Sequence, residues 1–78
     1  MEKIEAVLYR NVVEGLYAER KLQGDPDIIA KDDPDFLNKV IKQGKRSAEL
    51  LIAKGRADLV VEARDYARRK DHDQQPGN

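Results

Sequence analysis

The chain has 78 residues, 40 % of them apolar, and 15 basic side chains balance 15 acidic ones. This is one small domain at most: eight of the apolar residues are alanine, few larger side chains remain to close a core, and modest stability is expected unless a partner helps. The absence of cysteine excludes disulfides, a thiolate nucleophile and cysteine-ligated zinc, and the lone His72 lies in the last polar stretch.

The longest apolar runs, Ala6-Val7-Leu8-Tyr9 and Leu50-Leu51-Ile52-Ala53, fall far short of the roughly 20 residues that span a bilayer. The start, Met1-Glu2-Lys3-Ile4-Glu5, has neither the basic nor the apolar region of a secretion signal. A cytoplasmic protein with no membrane partner is expected.

At 100° per residue, Leu8, Tyr9, Val12, Val13, Leu16 and Tyr17 fall on one broad arc, opposite Lys3, Arg10, Glu14 and Lys21. The spacing predicts an amphipathic helix over about 3–23, ended by Gly24. Its arc is wider than one neighbour covers, so the helix sits between two others or leaves part of that face for a partner. Gly15, near the edge of the arc, implies close packing of another helix.

Two matched phrases follow, Asp25-Pro26-Asp27 and Asp33-Pro34-Asp35. In each, the first Asp caps free backbone N–H groups, the Pro suits the first helical position, and the second Asp favours the positive end of the helix dipole. The first phrase supports only a short helical turn near 26–31, because Pro34 pushes the residue before it out of helical geometry. The second opens a helix over about 34–54, with Leu37, Val40, Ile41, Ala48, Leu51 and Ile52 on one stripe and Gly44 at its centre, where another backbone can come close. Lys54-Gly55 closes it.

A third helix fits about 57–70, with Leu59, Val60, Ala63, Tyr66 and Ala67 inward, Val61 outward and the cations Arg68-Arg69-Lys70 at its end. Residues 71–78 contain no apolar side chain and are expected to form a disordered tail. No segment alternates as a strand does. The fold class is therefore all-α, a small bundle of three main helices in a single domain over 1–70.

The neutral total hides segregation. Residues 25–35 hold five aspartates against one lysine, whereas residues 39–56 hold six basic residues against Glu49. Lys39, Lys42, Lys45 and Arg46 share one arc of the second helix, with Arg56 just beyond it, and such a surface suits phosphates, whose neutralisation releases counterions. The acidic phrase is not a calcium loop: started at Asp25, an EF-hand would need an oxygen ligand at Ile29, glycine at Ala30 and glutamate at Phe36. No metal or other cofactor is expected. Catalytic groups are equally scarce, since Ser47 is the only serine, the only histidine is terminal and there is no glycine-rich phosphate loop. The chain does not read as an enzyme.

The stretch Val40-Ile41-Lys42-Gln43-Gly44-Lys45-Arg46-Ser47-Ala48, followed by Lys54-Gly55-Arg56-Ala57-Asp58-Leu59, resembles the helical tail of the tRNA-dependent amidotransferase B subunit and its stand-alone YqeY-like relatives. Those proteins show Lys-Gln-Arg-x-x-Ser and then Gly-Arg-x-Asp-Leu at a similar distance. Here Gly44 stands where the family has Arg, Arg46 where it has an acidic residue, and Val60-Val61-Glu62-Ala63 where it is glutamate-rich. The resemblance implies an all-helical module associated with tRNA or a tRNA-modifying enzyme, and points to Lys42, Lys45, Arg46 and Arg56.

The leading expectation is a non-catalytic protein-interaction module, an adaptor, inhibitor or regulator of a larger protein or assembly. Small regulators of the transcription machinery, including phage-encoded ones, have this build. The helical spacing of Tyr9 and Tyr17 favours packing inward; where that face is partly open, the candidate contact residues are Tyr9, Val13 and Tyr17, with Arg10 and Arg20 beside them, because aromatic and arginine anchors dominate protein interfaces. The alternatives are a tRNA- or RNA-binding module using Lys39, Lys42, Lys45, Arg46 and Arg56, and a helical homodimer joined through the first helix.

Overall fold

Two glycines set the ends of the first two helices. Gly24 and Gly55 have φ of 76° and 80°, a left-handed backbone that costs an L side chain roughly 1–2 kcal/mol and so marks a helix end. The computed structural model describes residues 1–24 and 33–73, the last four as backbone only. It contains α1 (Lys3–Leu22), α2 (Pro34–Ala53) and α3 (Ala57–Asp73). The expected all-α three-helix bundle is what the chain forms. The short turn near 26–31 and the tail from 74 onward lie outside the described residues, and α3 runs three residues beyond its expected end at Lys70.

Local chemistry explains the helix starts. Asp33 Oδ1 accepts a hydrogen bond from the Asp35 N–H at 3.1 Å, and Pro34 takes the first helical position. At α1 the Glu2 N–H donates to Glu5 Oε1 at 3.0 Å, so a first-turn carboxylate occupies a backbone donor that the helix leaves free.

α1 is the shared neighbour. It lies antiparallel against α2, with Glu2 near Lys54 at one end and Gly15 against Gly44 in the middle. α3 packs on another side of α1 and touches α2 less. The broad apolar arc of α1 is therefore divided between two helices. Leu8, Val12 and Val13 from α1, Leu51 from α2, and Leu59, Val60, Ala63 and Ala67 from α3 form the core, around a Leu51 that is wholly enclosed.

At the α1–α2 contact the two backbones meet because neither carries a side chain there. A Cβ built on Gly15 would stand 3.1 Å from the Gly44 Cα, and one on Gly44 would stand 2.9 Å from the Asn11 carbonyl oxygen. One turn away, Asn11 Nδ2 donates to the hydroxyl of buried Ser47 at 3.2 Å. The α2 stripe differs from expectation at one place: Ile52 is 55 % exposed, because α3 leaves that flank of α2 uncovered.

Candidate functional site

The tyrosine face of α1 belongs mainly to the bundle. Val13 is buried, and Tyr9, Leu16 and Tyr17 pack against the core. Tyr9 meets Tyr66 of α3 edge to face, ring centroids 6.4 Å apart. Burial, then the nearby Glu62 carboxylate and Tyr66, hold the Tyr9 hydroxyl above the usual phenol range, and burial does the same for Tyr17. The Tyr17 hydroxyl is enclosed without a hydrogen-bond partner. The Arg20 guanidinium lies 6.0 Å from the Tyr17 ring centroid, and Arg10 is exposed. Of the expected contact residues Val13 is core, Tyr9, Tyr17 and Arg20 are half-buried, and Arg10 is exposed, so α2 and α3 cover much of that face.

The basic arc of α2 is an open surface. Lys39, Lys42, Lys45 and Arg46 are all exposed, and no ion pair or hydrogen bond ties their side chains to another described residue. Arg56 does not join them. Its Nη1 donates to both oxygens of Glu5, at 3.0 and 3.1 Å, while Nε and Nη2 reach Asp58 at 3.2 and 3.3 Å. It is a fastener between the α2–α3 joint and the start of α1. The Glu2 N–H, and then the Arg56 charge, hold the Glu5 carboxyl below the usual carboxylate range against the opposing effect of burial. Asp58 is lowered chiefly by its hydrogen bonds from Arg56.

The Gly-Arg-x-Asp-Leu phrase therefore has a structural account in this chain. Gly55 ends a helix, Arg56 and Asp58 pair, and Leu59 enters the core.

Sequence reasoning missed a concave site. Where the two glycines and Ala48 leave no bulk, a groove of about 190 Å³ opens over the α1–α2 contact, with α3 along one side. Val12, Leu16, Ile41 and Val60 give it an apolar lining, and Lys45, Arg64 and Glu19 bring charge to it. A second depression shares Leu16, Glu19 and Arg64 with the first and continues along α1 through Arg20 to Gln23, adding Ala67 and Arg68. Together they make one trough with an apolar lining and a mainly cationic edge. Lys45 belongs to both the trough and the basic arc, so the two form a continuous surface. A void is written in a sequence only as small residues on facing helices, here Gly15, Gly44 and Ala48, and their facing requires the register of α1 on α2.

Among the described residues no group of three or more His, Cys, Asp or Glu side chains is placed to hold a metal ion, and no helix is long and apolar enough to cross a membrane. No protein-family model, curated protein or solved structure matches the chain.

Proposed function

We propose that the protein is a non-catalytic interaction module, an adaptor, inhibitor or regulator that binds a larger protein or assembly, and that it binds through the trough where α1, α2 and α3 meet rather than through the tyrosine face of α1. The observation that carries this reading is the trough: an apolar concavity rimmed by Lys45 and Arg64, neither paired with another described residue. Concave apolar surfaces with a few charged groups at the edge are where partners seat. The test is a cross-linked pull-down from the source cell comparing wild type with Lys45→Glu/Arg64→Glu and with Arg10→Ala. A partner lost only from the double variant supports the module and its location. A partner lost equally from Arg10→Ala, or retained by both, overturns it.

One observation favours a second reading. Lys39, Lys42, Lys45 and Arg46 stand exposed on one arc of α2, paired with no other described residue, as side chains laid along an RNA backbone would, and the amidotransferase-like phrase that contains three of them points to tRNA. Arg56 drops out of that set because Glu5 and Asp58 hold it.

A further inference from the structure

The trough has a length as well as a chemistry. Its lining runs along α1 from Val12 to Gln23, about 16 Å at the 1.5 Å rise of a helix, which matches some three turns of a second helix laid beside it. One end lies over Gly15, Gly44 and Ala48, where the lining carries no large side chain. Along the whole trough the fixed charges are unequal: Lys45, Arg20, Arg64 and Arg68 face a single acid, Glu19. Lys45, Arg64, Arg68 and Glu19 are not tied to another described residue.

We infer that the trough is a docking groove for an acidic amphipathic helical segment of the partner, one that sets an apolar side chain over the Gly15–Gly44 contact and turns carboxylates toward Lys45, Arg64 and Arg68. This rests on the interaction-module reading and deepens it. An amphipathic helix reads such a groove through apolar residues at i, i+3, i+4 and i+7. The cationic rim selects its sign, since complementary charge steers encounter and like charge repels. A phosphate backbone would satisfy the rim but would leave the half-buried Leu16 and Ile41 open to water, which is why a peptide fits better than a nucleic acid.

The experiment is selection of a random 16-residue displayed peptide library on the intact 78-residue protein, with counter-selection on Lys45→Glu/Arg64→Glu. The expected winners carry Leu, Ile, Met or Phe at helical spacing with Asp or Glu between. A synthetic winner should shift the amide resonances of Leu16, Ala48, Val60 and Arg64 and lose at least tenfold in affinity to the double variant. Ala48→Leu, which fills the end over Gly44 while keeping every charge, should weaken it comparably, with circular dichroism confirming that both variants stay helical. Winners without acidic residues, resonance shifts confined to the outer arc of α2, or binding unchanged by both variants would overturn the groove assignment. Poly(U) RNA that displaces a winner from the same residues, and binds more tightly than it does, would transfer the surface to nucleic acid. Retention of the cellular partner by the double variant defeats the broader reading. Its loss without acidic winners defeats only this inference.

Discussion

Arg56 donates through Nη1 to both carboxylate oxygens of Glu5, 51 residues earlier in the chain. Glu5 is 4 % exposed, so the contact places a carboxylate inside the bundle and gives it a cation together with the backbone donor of Glu2. A group in that position is secured by its partners, and removal of either one leaves a charge in poor surroundings.

The pair makes stability depend on acid. The Glu5 and Asp58 carboxyls are held below their ordinary values, so their contribution is complete above the unfolded-state values and is lost as pH falls through the lower folded ones. Thermal melts between pH 7 and pH 2 should show the melting temperature dropping as the medium passes below the ordinary carboxylate range. Glu5→Gln should melt several degrees lower at pH 7 and show a shallower acid dependence. An unchanged pH profile would remove the pair from the account of stability.

The glycine contact should be intolerant of a single methyl group. Gly44→Ala gains about 1 kcal/mol of helix propensity, but its Cβ meets backbone atoms of Asn11 and Gly15 that cannot rotate away. Overpacking of this kind costs about 1–3 kcal/mol. Urea unfolding should therefore show Gly44→Ala destabilised despite the better helix former. Gly15→Ala, whose nearest contacts are 3.1 and 3.3 Å, should lose less.

Tyr17 predicts the opposite sign. Its enclosed hydroxyl has no hydrogen-bond partner, so Tyr17→Phe removes an unsatisfied polar group and keeps the ring. The variant should be neutral or more stable by up to about 1 kcal/mol, as read by chemical denaturation. A clear loss would mean that the hydroxyl contributes through a contact made in solution.

The two groups of cations should separate by measurement. If the outer arc of α2 binds RNA, Lys42→Glu plus Arg46→Glu should flatten the plot of log affinity against log salt by about 2, with the melting temperature unchanged. Arg56→Ala should lower the melting temperature and leave that slope unchanged, since its guanidinium is engaged by Glu5 and Asp58.

The helices were legible because their boundaries are local chemistry. Asp33-Pro34-Asp35, Gly24 and Gly55 each act within a few residues of themselves, and the close approach at Gly15 and Gly44 follows from glycine on an apolar stripe. What stayed hidden depends on distant pairing. Glu5 reads as a first-turn acid and Arg56 as a surface cation until the fold sets them together. Ser47 reads as a polar residue for the surface until Asn11 reaches it. Ile52 belongs to the apolar stripe by angle yet is left open by the path of α3. The tyrosines show the converse: their spacing located the right face, and only the docking of α3 settled that the face is interior.

The side-chain-free contact of Gly15 with Gly44 also works as a ruler. Sliding α2 by one helical turn along α1 would bring Val40 or Ala48, each with a Cβ, against backbone that now admits only hydrogen, so one axial alignment is strongly favoured. That alignment decides which α2 residues point outward and places Ala48 and Lys45 beside Leu16 and Glu19. Two hydrogen atoms thus hold the concavity and the cations at its edge in a common frame, and a side chain there would shift that frame.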